Sequence, residues 1–455
     1  MDDGLCTASY DCSGHFCKNL REKIITTLEL YMRKTTILLL FVLTFMGTIS
    51  AQSQKTYLDT LVTEALQNNP QLKSASQYAL AQRQRVNQVS SWDPPQIGIE
   101  FYQTPISSFP NPLKDGMETD YSIQQMFPFP GKLSAMGNAA ESNANMYQSQ
   151  FKALERKIMK DVKTAYYEYY LVERKISLNK ENQDLLRNFI EIANKQYQVG
   201  MGKQPDIIRA QTELSTLINE GINLNKGKVS VAAMLNTLLN KPVNSPLKDV
   251  TEIYSDIPKW TFEQLSNLSY DTRNELKAMK YNIEMNKSEL HASKLEYYPD
   301  IMARLMYKNM IGTSNDFWSA MVGISIPLAP WSQSKFTSKV EENELNIKSA
   351  EEQYANMKNM VSYDVQDALV KIESNRNLVE LYKDTSIPQA QQTLESTTAA
   401  YQTGKTEFLM LIDAYRMLLM VKLDYYMSVM NFMDSQAALE QAVGLTIPEI
   451  TEKLK

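Results

Sequence analysis

At 455 residues, with a net charge of −5, the chain carries no basic stripe with interleaved aromatics, which excludes nucleic acid as an expected partner. Only 15 glycines and 17 prolines punctuate this length, so few tight turns and long uninterrupted elements are predicted. Arg33 and Lys34 precede an apolar run from Ile37 to Met46, and small residues follow as far as Ser50-Ala51. This pattern is that of a secretory signal peptide over residues 1–51, with Met32 as the expected true start. Cleavage after Ala51 would remove Cys6, Cys12 and Cys17, and would leave Gln52, not a lipidated cysteine, at the new N-terminus. No later run reaches the roughly 20 apolar residues of a spanning helix, which leaves a periplasmic, secreted or β-barrel chain.

Beyond that point the chain repeats itself. Tyr197-Gln198-Val199-Gly200 recurs as Tyr401-Gln402-Thr403-Gly404, an offset of 204 residues. Leu61 and Leu265, Leu72 and Leu276, Pro95 and Pro299, Ala210 and Ala414, and Leu214 and Leu418 keep the same offset. The expected organisation is a first repeat over 52–243, a linker over 244–261 holding Pro246 and Pro258, a second repeat over 262–447 and a tail over 448–455.

Within each repeat the expected order is helix, strand pair, very long helix, turn, helix. Gln96 to Phe101 and Tyr121 to Gln124 alternate polar and apolar residues, as do Asp300 to Leu305 and the segment Phe317 to Ile326. Loops are expected at 104–118 and 308–316. Phe151, Leu154, Ile158, Val162, Ala165, Tyr169, Val172 and Ile176 then step by threes and fours, a heptad-like seam. Ile347, Ala350, Tyr354, Met357, Val361, Val365, Ala368 and Ile372 repeat it. Each pattern lasts roughly 65–70 residues, on the order of 100 Å as helix. Pro388 interrupts the second and is expected to kink it, not end it.

Four strands cannot close a barrel, and an open edge in lipid leaves backbone groups unsatisfied. Several copies must share one barrel, and a trimer with twelve strands is the natural solution. The fold expected is mostly α, with tandem-duplicated coiled-coil helices and four strands per chain. A soluble periplasmic coiled coil whose hairpins form a small capping sheet is the alternative, as is a periplasmic adaptor, although adaptors usually hold one helical hairpin.

Catalytic chemistry has little to run on. After signal removal one histidine remains, His291, in a polar stretch beside Lys287 and Lys294. There is no Cys/His cluster for zinc and no Gly-rich phosphate loop, so no enzyme, cofactor or resident metal is expected. Twenty-four methionines offer soft ligands, but their scatter through helices reads first as packing.

The duplicated units, each ending in a Tyr-x-x-Gly turn, with an aliphatic-Asp-Ala run after the second, resemble the TolC-like outer-membrane factors across nearly all of the mature chain. That resemblance implies a homotrimer with a 12-stranded barrel in outer-membrane lipid and a helical periplasmic tunnel. It also implies an exit duct docked to a periplasmic adaptor and an inner-membrane RND-type or similar transporter, in efflux or type I secretion. Phe127-Pro128-Phe129-Pro130-Gly131-Lys132-Leu133 resembles the strand–helix junction of the CusC/CzcC-like branch, which serves heavy-metal pumps; a general drug exporter remains open. Carried over residue by residue, the resemblance implies a periplasmic gate at Asp206 and Tyr401. Thr406 stands where a basic partner is found, with Lys405 beside it. Asp413 matches a pore-constriction carboxylate, and Met410 occupies the companion position. Read without the resemblance, Asp206 is a helix cap and Asp413 a solvated face residue. Gly200 and Gly404 are the turn glycines.

Overall fold

The computed structural model describes residues 56–109, 111–113, 116–250, 254–327 and 329–455. The expected signal peptide and the start at Met32 lie outside these. The described residues divide into two units, one ending at Thr60 and the other beginning at Leu61. In the first, Thr56 and Asp59 cap a helix start through reciprocal hydrogen bonds. The helix so opened, α1, runs over Tyr57–Asn68.

In the second unit, α2 (Pro70–Ser90) leads to β1 (Gln96–Tyr102) and β2 (Glu118–Phe127). Then come α3 (Lys132–Gln198) and α4 (Gln204–Leu238). The second repeat follows with α5 (Phe262–Thr272), α6 (Asn274–Leu295), β3 (Ile301–Met310) and β4 (Phe317–Ile324). It continues through α7 (Gln333–Leu381), α8 (Ile387–Gln402) and α9 (Phe408–Val443). The mostly-α fold is as the periodicity predicts. At 67 residues α3 is on the order of 100 Å long. Its seam is real: Ile158, Val162, Ala165 and Tyr169 are buried, as are Val361, Val365, Ala368 and Ile372 of α7.

Four details differ from expectation. The opening helix of each repeat is two helices, broken at Asn69 and again 204 residues later at Arg273. Both residues are buried and reach across to the repeat's last helix: Asn69 Nδ2 donates to the Leu238 carbonyl at 3.0 Å, and Arg273 Nη1 to the Ala442 carbonyl at 3.4 Å. These carbonyls too are 204 residues apart, so one device serves both breaks. Secondly, β3 continues to Met310, so the loop before β4 is 311–316, shorter than 308–316. Thirdly, the proposed tail contains α10 (Ile447–Lys453), capped by Thr446 and Glu449, with Ile450 fully buried. Lastly, part of the linker is a packed strap: Ile257 is buried, and Tyr254 stacks on Phe432 at 5.4 Å.

Pro388 does not end its helix. The chain passes from α7 to α8 through one π turn, Tyr382–Ser386, which accommodates the N–H that proline lacks.

All strands are antiparallel in the order β1-β2-β3-β4, so the central pairing joins the two repeats. The register places Ile97, Ile123, Leu305 and Ala320 in one row, and Ile99, Tyr121, Tyr307 and Trp318 in the next. The opposite face carries Glu100, Asp120 and Lys308 in one row, and Gln96, Gln124 and Arg304 in another. The apolar face is bare: Ile97 is 80% exposed and Trp318 75%. A sheet with one bare apolar face and one polar face, and two free edges, has the pattern of a lipid-facing barrel segment. Among the described residues no helix is long and apolar enough to cross a membrane.

Candidate functional site

The two helix–turn–helix tips are built alike. Gly200 and Gly404 take positive φ, 76° and 71°, and a Cβ at either would meet open space, so backbone sterics alone select glycine there. Gly200 donates to the Tyr197 carbonyl and Gly404 to that of Tyr401, each at 3.0 Å. Met201 donates to Gln196, and Lys405 to Ala400, both at 2.9 Å. These paired bonds satisfy carbonyls left open at the helix ends.

Beneath the turns lies a shared core in which α3, α4, α8 and α9 meet. Phe189, Ile207, Ala210, Tyr401, Phe408, Leu411 and Tyr415 are all buried there. The structure brings Asp206 and Tyr401 together: burial, then the nearby Asp206 charge, pushes the Tyr401 phenol up to about 12. Its hydroxyl is buried without a hydrogen-bond partner, and its ring lies edge-on to Phe408 at 5.3 Å. Asp206 does not cap α4. Lys203 is the N-cap residue and makes no side-chain cap; Asp206 sits in the first turn, donates its N–H to the Lys203 carbonyl, and faces the positive end of the helix dipole.

Lys405 is exposed and joins no ion pair among the described residues. The cation that crosses between the tips is Lys203, 3.8 Å from Glu407. Gln196 Nε2 donates to the Gln402 carbonyl at 2.6 Å, and Arg416 grips Glu213 with two bonds of 3.0 and 2.7 Å. These ties were not foreseen, yet Lys203 and Glu407 stand 204 residues apart, opposite charges at equivalent positions. That signal was open to the sequence. Asp413 is exposed, one turn from exposed Met410, and stands apart from the Tyr401 cluster. His291 is an exposed residue of α6. Among the described residues no group of three His, Cys, Asp or Glu could hold a metal ion.

At the other end of α3, Pro128 and Pro130 close β2 and Gly131, at φ 92°, turns the chain into the helix. Asp300, at the foot of β3, ties this junction to the second repeat. Its Oδ1 accepts from Lys132 Nζ at 2.7 Å and from the Phe129 N–H at 2.8 Å. Phe129 also stacks on Tyr298 at 4.4 Å. The sequence reading named Lys132 without its partner, because Asp300 lies 168 residues away.

The model of the outer membrane efflux protein family matches residues 61–241 and 265–445, once on each repeat. The cobalt-zinc-cadmium resistance protein CzcC of Cupriavidus metallidurans is 19% identical over 299 residues, covering 65% of this chain and 69% of that protein. A crystal structure of CusC superposes with a TM-score of 0.74 at 17% identity, covering 85% of this chain and 92% of the other. VceC of Vibrio cholerae gives 0.70 at 17%, covering 86% and 96%. The duplicated helices, the four-stranded sheet and these likenesses agree: the chain belongs to the outer membrane efflux protein family, with its sheet in the outer membrane and its long helices in the periplasm.

Proposed function

We propose that this chain is one subunit of a homotrimeric exit duct that passes heavy-metal cations out of the cell. In this reading a periplasmic adaptor and an inner-membrane RND-type pump supply the cargo and the energy, and the duct itself makes and breaks no covalent bond. The observation that carries the metal assignment is the similarity to CzcC, whose name is that of a cobalt-zinc-cadmium resistance protein. The junction Pro128-Phe129-Pro130-Gly131-Lys132 points the same way. The free edges of β1 and β4 support the trimer, since edges in lipid must pair, and three sheets of four strands close a barrel.

The gate in this reading is the tip cluster. Tyr401 packs edge-on to Phe408 with the Asp206 charge nearby, Lys203 and Glu407 bridge the turns, and Lys405 is free to meet an adaptor or a neighbouring copy. Asp413 would form a ring of three carboxylates at the constriction, favouring cations as charged rings do.

A growth-inhibition panel on a deletion strain tests the proposal. Copper, silver, zinc, cobalt and cadmium salts would be set beside detergents, dyes and antibiotics. Selective metal hypersensitivity is the expected result. Sensitivity confined to drugs and detergents would replace the metal duct with a general exporter, and no change in either group would remove the efflux assignment.

A further inference from the structure

The outward face of α9 carries a lane of alternating character. Met410, Asp413, Met417, Met420, Asp424 and Met427 follow one another by three or four residues, so consecutive members sit about 5–6 Å apart at Cβ on one helix face. The four methionines are 58%, 50%, 59% and 40% exposed. Of the six methionines in this helix, only Met433 is buried; the inward face uses Phe408, Leu411, Tyr415, Leu418, Val429 and Phe432 instead.

The duplication supplies a control. At the same six positions, 204 residues earlier, α4 carries Asp206, Arg209, Glu213, Thr216, Glu220 and Asn223. The helical architecture therefore accepts polar residues throughout this lane, and solvation alone would favour them. Where α4 does bare apolar side chains, four are the branched aliphatics Ile208, Ile218, Ile222 and Val229, and a single methionine, Met234, joins them; all five lie at other positions. Packing between helices calls for that chemistry. Thioethers interleaved with carboxylates call for another explanation.

We infer that this lane is a coordination path for soft monovalent cations of the Cu(I) and Ag(I) class, a site that rests on the duct reading because only a conduit brings such an ion past it. Thioether sulfur is a soft ligand and selects such ions over zinc or cobalt, which favour nitrogen, oxygen or thiolate. Methionine's three rotatable bonds let two sulfurs from adjacent turns close on one ion, and within the lane Met417 and Met420 are the methionines spaced by one turn. Asp413 and Asp424 flank that pair one turn to either side and offset the ion's charge. Arg416 beside the lane is engaged by Glu213 through two bonds, and Lys422 by Glu181. A row of short-lived sites, each one turn from the next, suits transit: each holds the ion well enough to admit it and weakly enough to release it.

The test uses the full chain in detergent, with Ag(I) alone as probe and Zn(II) as control. Met417→Leu with Met420→Leu removes both sulfurs and keeps size and apolarity. Peptide mass spectrometry after brief peroxide exposure reads which methionines oxidise. Ag(I) is expected to protect Met417 and Met420 while Zn(II) protects neither. The double variant is expected to bind Ag(I) on the order of tenfold more weakly, with oligomer and melting temperature unchanged. Equal oxidation with and without Ag(I) would overturn the inference. Loss of assembly in the variant would overturn it too, by making the lane a packing surface between copies. The growth panel reads a different failure: protection by Ag(I) without metal hypersensitivity keeps the lane and removes metal export. Hypersensitivity without protection removes the lane alone.

Discussion

The two tips of the molecule share a backbone and differ in what they bury. Each turn has a glycine at positive φ and shares its closing hydrogen bonds at a 204-residue offset, the first turn adding one from the Gly202 N–H to the Gln196 carbonyl. Yet where α9 begins with Phe408, fully buried beside Tyr401, α4 begins with Gln204, exposed to solvent. Tyr401 is 5% exposed and its equivalent Tyr197 is 49% exposed. The second tip is an anchored plug of aromatic side chains and the first is a lighter strap laid over it. Duplication thus preserved the positive φ of the turn glycines while the packing around them diverged.

The largest way to break that comparison is at its aromatic anchor. Phe408→Ala should cost about 3–5 kcal/mol, as deletion of a buried ring does, and lower the thermal midpoint of the purified protein. Gln204→Ala should change stability by less than about 0.5 kcal/mol, being a surface change. Equal losses at the two positions would mean the tips are packed alike. The glycines test the shared part. Gly200→Ala and Gly404→Ala should each cost about 1–2 kcal/mol from left-handed backbone alone, since neither new Cβ meets a neighbour. Near-identical melting shifts are expected, and a much larger loss at Gly404 would show that the turn conformations themselves have diverged.

The smallest effect is a titration. The Tyr401 phenol, held up to about 12 by burial and then by Asp206, is neutral over the ordinary pH range. Its folded value lies above the ordinary tyrosine value of 10.0, so its contribution is fully present below pH 10 and is lost as pH rises towards 12. Burial also raises Tyr415, so ultraviolet absorbance of tyrosinate should show more than one late group, and Tyr401→Phe should remove the phase centred at about 12. Asp206→Asn should move the phase to lower pH by less than burial does. If Asp206→Asn leaves the phase in place, the carboxylate does not face this hydroxyl.

Much of the architecture was legible residue by residue. The three-four spacing from Phe151 to Ile176 marks a helix because a 3.6-residue period puts those side chains on one stripe. Alternation along Gln96 to Phe101 marks a strand with two unlike faces. The candidate gate was legible only in part. Asp206 and Tyr401 were reached through the repeated Tyr-x-x-Gly turn. Lys405 was named because it stands next to the position implied for a basic partner, whereas the structure pairs Lys203 with Glu407. Adjacency along the chain says little about reach at a turn, where consecutive side chains point in different directions.

The sequence by itself determined the duplication, the long helices, the strand alternation and the glycine turns. Each rests on periodicity or on a backbone angle that few residues adopt, and both are properties of a short stretch. Tertiary structure alone decided that β2 pairs with β3 and so welds the repeats, and that Asp300 receives Lys132. It also decided that Asn69 and Arg273 break their helices to reach distant carbonyls, and which of two equivalent tips buries its aromatic side chain. Those outcomes join residues scores of positions apart. Which partners meet there depends on the summed packing of whole helices, a quantity that no local window contains.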